Sequence, residues 1–131
     1  MPSTVAYQKE NMTISCKFAF TLSQDDSVYT IKLSKKSSGS LNTIVMVEYS
    51  TPAGRDNNYR SITWIDTDLK TRADADESVI YPPRSAKLVF VIPMDNMKCT
   101  DDGTYVCVIN GFTNTVLNER SEGTVEFKGN I

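Results

Sequence analysis

The stretch that decides the fold is Asp101-Asp102-Gly103-Thr104-Tyr105-Val106-Cys107, with the pattern D-x-G-x-Y-x-C. A hydrophobic run from Lys87 to Met97 precedes it, and Val108-Ile109 follows. Gly103 permits a tight turn. Tyr105 brings a large apolar ring whose polar tip needs a partner when buried. Cys107 points the same way as Tyr105, because side chains two apart on a strand share a face. An earlier segment has matching periodicity. Met12, Ile14, Cys16, Phe18 and Phe20 alternate with Asn11, Thr13, Ser15, Lys17 and Ala19, which predicts a strand over 12–20 with Cys16 on its apolar face.

Together, the Cys16 strand and the D-x-G-x-Y-x-C corner resemble strand B, the E–F corner and strand F of an immunoglobulin domain. The resemblance runs from strand B to strand G. It implies an all-β immunoglobulin-like β-sandwich of the variable (V-set) type, with two antiparallel sheets in Greek-key topology. Strands ABED would face CFG plus C′, and C″ if the room is used. It also implies a disulfide between Cys16 and Cys107. A loop of roughly 90 residues closed in this way stabilises a fold by about 4–5 kcal/mol in the chain-entropy view. A tyrosine corner would comprise Asp101, Gly103 and Tyr105, with the tyrosine hydroxyl bonded to backbone upstream. Arg72 or Arg84 would clasp Asp101. Two departures stand out. Leu33 occupies the strand C position where the family places a tryptophan, so Phe18, Phe20 or Phe90 must fill that space. The segment Gly123-Thr124-Val125-Glu126-Phe127 replaces the F-G-x-G of antigen receptors.

In chain order, Thr4 to Gln8 is a candidate edge strand A. Ser23 to Ser27 reads as the B–C loop, and Val28 to Lys35 as strand C. On strand C, Tyr29, Ile31 and Leu33 would share one face and Thr30, Lys32 and Ser34 the other. Residues 36–40 form a turn. Asn42 to Ser50 follows as strand C′, apolar on both parities at Ile44-Val45-Met46-Val47. Pro52 to Asn58 is a polar loop, and Tyr59 to Asp66 a further strand carrying the only tryptophan, Trp64. Trp64 has two readings, core filler or exposed interface aromatic; the first fits better, since large aromatics are mostly buried. Thr67 to Ser78 reads as a solvated acidic loop. Its carboxylates Asp74, Asp76 and Glu77 lack the glycine and terminal glutamate of a helix–loop–helix calcium loop. On strand E, Ala86 to Met94, the residues Leu88, Phe90, Ile92 and Met94 would face inward, with Met97 plugging the turn. Asn11-Met12-Thr13 is a glycosylation sequon at an outward parity.

Composition narrows the function. With 131 residues the chain is one domain by size, spanning residues 1–131. A net charge of −2 offers no basic footprint for nucleic acid. No apolar run is long enough to cross a bilayer, and Met1-Pro2-Ser3 does not open a signal peptide. Met1 then reads as the start of an excised ectodomain of an anchored cell-surface protein, because disulfide-linked sandwiches form in oxidising compartments. The chain has no histidine, which removes the commonest general base, metal ligand and pH switch. No nucleophile elbow or phosphate loop is present either. The expectation is a non-enzyme without cofactor or metal. Cys99, the odd cysteine, has three readings: a free thiol, a link to another chain, or a competitor for Cys16.

Function then falls to loops and an exposed sheet face. With Tyr105 and Cys107 inward, Val106, Val108 and Asn110 face outward beside Thr30, Lys32 and Ser34, and strand C′ adds Met46. This predicts a protein-binding patch of Val106, Val108, Lys32 and Met46. Phe112 stands at the expected F–G tip. The segment "CVINGFTNT" resembles the F–G region of nectin-type adhesion domains, where an aromatic at that tip docks against the partner. The resemblance implies protein–protein recognition, with homophilic cell–cell adhesion or allorecognition as the leading reading. An immune-type receptor or secreted lectin-like module for a foreign protein or glycan is the alternative.

Overall fold

A computed structural model describes residues 4–18, 22, 26–50, 59–113 and 115–128. The chain order is β1 (Thr4–Ala6), β2 (Met12–Cys16), β3 (Ser27–Ser37), β4 (Ser40–Tyr49), β5 (Arg60–Trp64), α1 (Thr67–Arg72), β6 (Leu88–Ile92), β7 (Gly103–Thr113) and β8 (Thr115–Lys128). Two sheets face each other. The larger runs β1-β8-β7-β3-β4-β5, and the smaller is the pair β2-β6. All pairings are antiparallel except β1 with β8, which is parallel.

The small sheet follows its alternation. Met12↔Ile92, Ile14↔Phe90 and Cys16↔Leu88 pair on its inner face, and all six side chains are buried. Opposite them lie Ile31 and Leu33 of β3, Val45 and Val47 of β4, and Tyr105, Cys107 and Ile109 of β7. The Cys16–Cys107 disulfide joins the two layers, with Cα atoms 5.7 Å apart. Leu33 pairs with Cys107 and is fully buried, so an aliphatic side chain does sit against the bridge. Ring volume comes from elsewhere: Trp64 packs on Phe90 at 6.3 Å, and Phe90 on Tyr105 at 6.4 Å. Trp64 thus lies against the core from β5, partly buried. Phe18 is also buried, whereas Phe20 lies outside the described residues.

Several expectations need correction. Strand A does not join B and E; β1 pairs with β8 at Thr4↔Glu126, on the larger sheet. In place of a full strand D, single bridges tie Asp74 to Val91 and Val79 to Lys87. The acidic segment at 67–78 is not simply a loop. It opens with α1, whose N-cap Asp66 accepts from the Leu69 N–H at 3.0 Å while Leu69 is buried. Met94 does not face the core. β6 stops at Ile92, Pro93 starts a 3₁₀ turn, and Met94 is 39% exposed. Met97 is buried in the turn as expected, where its sulfur accepts from the Gln8 N–H at 3.3 Å.

Two bulges account for the remaining differences. The β3–β7 register shifts between Val28 and Thr30, so Val28 is buried and Tyr29 is turned out, 52% exposed. The β3–β4 register shifts opposite Leu33/Ser34, making Ile44 the inserted residue. Ile44 and Val45 are then both buried. The apolar run on both parities therefore marks a bulge, not an apolar outer face. The Ile44 carbonyl is used there, accepting from the N–H groups of Ile65 (2.9 Å) and Asp66 (3.1 Å) and so fixing the start of α1.

Candidate protein-binding face

The corner motif sets the face. Gly103 has φ +140°, a conformation that L side chains rarely adopt. A Cβ there would also meet Lys35 Cε at 2.9 Å. The turn lets β7 rise with Tyr105 inward, and the Tyr105 hydroxyl donates to the Asp101 carbonyl. Lys35 Nζ donates to the Thr100 carbonyl and lies 5.6 Å from the centre of the Tyr105 ring. Burial, reinforced by the nearby Asp101 charge, pushes the Tyr105 phenol well above its ordinary range.

Arg72, not Arg84, holds Asp101. Its Nη1 and Nη2 donate to Oδ2 and Oδ1 at 2.8 Å each, a bidentate fork. Nη1 also donates to the Asn96 carbonyl at 2.7 Å, and Nε to Asp68 Oδ2 at 3.1 Å. The Lys98 N–H adds a 2.7 Å bond to Asp101 Oδ2. The hydrogen bond to Asp101 raises the Arg72 guanidinium further above its ordinary value. The hydrogen bond from Arg72 lowers the Asp68 carboxyl. Tyr105 thus reaches back to Asp101 across the turn at Gly103, and α1 supplies the arginine that holds Asp101.

With the inner parity fixed, the outer face of the large sheet follows from register. Arg120, Val108, Lys32, Met46 and Thr63 form one cross-strand row over β8, β7, β3, β4 and β5. Below it runs a row of Glu122, Val106, Ser34 and Thr43, and above it one of Asn118, Asn110, Thr30 and Glu48. Asn110 Nδ2 donates to Thr30 Oγ1 at 3.0 Å, which ties the upper row across β7 and β3. Val108, Lys32 and Met46 are half-buried and reach the surface.

Val106 does not reach the surface. Its parity is outward as expected, but it is fully buried. Its cross-strand neighbours are Ser34, itself buried, and Glu122. Glu122 pairs with Lys36 at 3.2 Å and with Arg120 at 3.8 Å. Val106 is thus removed from the contact set.

Phe112 is not on a loose loop tip. It pairs with Val116 of β8 and Ser27 of β3, because β7 and β8 continue as one ladder up to Thr113↔Thr115. It shares the outward parity of Val108 and Asn110 and is 41% exposed. Gly111 makes this extension possible, a role that its place in the sequence did not reveal. A Cβ on Gly111 would lie 2.3 Å from the Ser27 carbonyl oxygen, a backbone atom. Only glycine lets β3 approach β7 this closely and carry the sheet out to Phe112. The signal available was a glycine at the end of an alternating strand.

On the opposite sheet, Asn11 is exposed and its Oδ1 accepts from the Met94 N–H at 3.0 Å; Thr13 is exposed as well. Cys99 is an exposed free thiol in the 3₁₀ turn Cys99–Asp101. Among the described residues, no helix is long and apolar enough to cross a membrane.

No protein-family model matches the chain, and no curated protein matches it in sequence. Solved structures do match in fold. A murine CRIg structure aligns over 98% of this chain and 94% of its own, with 14% identity and a TM-score of 0.67. A structure from a photo-crosslinking study of multimeric cell-adhesive interactions of VGSC beta subunits covers 96% and 91%, at 13% identity and TM-score 0.61. Domain 1 of VCBP3 from Branchiostoma floridae covers 96% and 88%, at 12% identity and TM-score 0.63. The inter-sheet disulfide, the tyrosine corner and these alignments agree: the chain has the immunoglobulin β-sandwich fold of the variable type.

Proposed function

We propose that this chain is an extracellular recognition domain that binds a protein partner through the outer face of its six-stranded sheet. Phe112 is the anchor, and Val108, Lys32 and Met46 form the adjoining surface. The observation that carries the reading is Phe112 itself. A large aromatic is held in solvent on a hydrogen-bonded ladder, at the end of a column that includes Val108. Exposed aromatics on rigid backbone are favoured interface anchors, because little entropy is lost when they dock. The leading partner is a second copy of the same domain on an opposing cell. Two facts support it. The face carries both signs, Lys32, Lys36 and Arg120 beside Glu48 and Glu122, so a copy of itself offers complementary charge. One fold neighbour comes from work on cell-adhesive interactions. A glycan on Asn11 would stand on the small sheet, away from this face. On this reading the domain works outside the cell, at the cell surface.

The test is self-association. Sedimentation over a concentration series, and aggregation of beads that display the domain, are expected to show clustering that falls as salt rises. Strict monomers and inert beads would remove the homophilic reading and direct the face to a different protein.

A further inference from the structure

We infer that Asn11 is the attachment point of an N-linked oligosaccharide whose first sugar covers Met94 and closes the outer side of the small sheet. Asn11-Met12-Thr13 is the one Asn-x-Ser/Thr triplet in the chain. Its two recognition side chains, Asn11 and Thr13, are exposed at the head of β2, while Met12 between them is buried. The local backbone explains how Asn11 is held. The β2–β6 ladder ends at Met12↔Ile92, and the next residue on the partner side is Pro93, which has no N–H to donate. The donor after it, the Met94 N–H, is met by a side chain: Asn11 Oδ1 accepts from it at 3.0 Å. Only the oxygen of a carboxamide accepts, so this bond fixes which way the amide is turned. Nδ2 lies on the opposite side of the planar group, and among the described residues it has no partner.

The modification needs no catalytic group from this chain. Nδ2 gives up one proton and bonds C1 of the first sugar. The C1–O bond to a lipid pyrophosphate donor breaks, and the lipid pyrophosphate leaves. Oδ1 is untouched, so the bond from the Met94 N–H survives. The surroundings give the sugar something to cover. Met94 is apolar and 39% exposed, and its backbone already meets the Asn11 amide. Half-buried Val91 and Val89 follow along β6, opposite Thr13 and Ser15. The strand edge adds a second reason. Among the described residues β2 has β6 on one side and no strand on the other. An open edge offers unpaired N–H and C=O groups to any extended chain, and a bulky, solubilising group at its head blunts such pairing. The inference rests on the extracellular placement of the domain, since this modification marks secreted chains. It uses neither Phe112 nor Val108.

The experiment secretes the chain from a eukaryotic host and reads the Asn11 peptide by mass spectrometry, before and after an amidase that strips the sugar and leaves aspartate. A sugar on Asn11 is expected in the parent and in Thr13→Ser. Thr13→Val, which keeps the Asn11 side chain and a branched residue on the strand, is expected to leave Asn11 bare. Dilute peroxide then reports the cover. Met94 sulfoxide is expected to form at least about twofold more slowly in the parent than in Thr13→Val or the stripped parent. Trimming with an endoglycosidase that leaves one sugar should preserve that protection. Met46, half-buried on the other sheet, should oxidise at one rate in all forms and serves as the reference. Bare Asn11 in parent protein secreted with the Cys16–Cys107 bridge closed would overturn the inference and leave the recognition face standing. Equal oxidation of Met94 with and without the sugar would overturn it as well. A domain that carries the sugar, protects Met94 and stays monomeric supports this inference while striking the homophilic reading.

Discussion

Arg72 grips both carboxylate oxygens of Asp101 at 2.8 Å, and the pair is mostly shielded, with side-chain exposures of 13% and 6%. It links the end of α1 to the turn that launches β7. Removing one partner leaves the other charge buried, which costs about 3–5 kcal/mol. Arg72→Met is expected to show a loss of that size in denaturant unfolding. Arg72→Lys should recover only part, because an ammonium cannot make the two parallel bonds. Arg72→Met combined with Asp101→Leu should be less damaging than the sum of the two single changes. A strictly additive pair would show that the clasp does not couple α1 to the corner.

The buried Tyr105 phenol makes a pH prediction. Its folded pKa is raised above the unfolded value, so the folded state holds the proton longer. Stability from this group is complete below the ordinary tyrosine pKa of about 10 and is lost as pH rises above it. Ultraviolet titration should find one phenol that ionises only as the protein unfolds in alkali. Tyr105→Phe should remove that late component. At neutral pH it should cost about 1–3 kcal/mol, because the Asp101 carbonyl is left buried without its donor. A full complement of phenols ionising before unfolding would contradict the corner.

Gly111→Ala tests how Phe112 is presented. The added methyl collides with the Ser27 carbonyl, and backbone must move to relieve it. A loss of about 1–3 kcal/mol is expected, with amide exchange rising at Val28, Gly111 and Phe112 before it rises at Cys107. Exchange spread evenly over β7 would show that the Ser27–Gly111 approach is not what holds the hairpin.

The sequence disclosed most where each strand buries one face without interruption. β2 and β6 are such strands, and their inner residues Met12, Ile14, Cys16, Leu88, Phe90 and Ile92 all alternate as read. The cysteine pair and Tyr105 were legible because the corner needs a specific glycine, ring and sulfur in fixed order. Tyr29 and Ile44 were not, because a bulge inserts one residue and reverses parity without changing composition. Met94 was misplaced by extending an alternation past Pro93, which ends the strand. α1 is only six residues long, and its Asp66 cap read as the last residue of the preceding strand. Which arginine meets Asp101 depends on that helix. On the proposed binding face, parity put Val106 on the outer side of the sheet, but its full burial depends on neighbours on other strands, which no single strand records.

The most direct measurement of the recognition claim is association of the domain with its partner, starting with itself, in two surface variants of intact fold. Phe112→Ala removes the anchor and Val108→Lys places a charge in the same column; each is expected to weaken association at least about tenfold, with unchanged thermal unfolding. Val106→Ala, at a position closed to contact, should lower stability and leave affinity as it was. Parent-like binding by both Phe112→Ala and Val108→Lys would contradict the account and move recognition off this face.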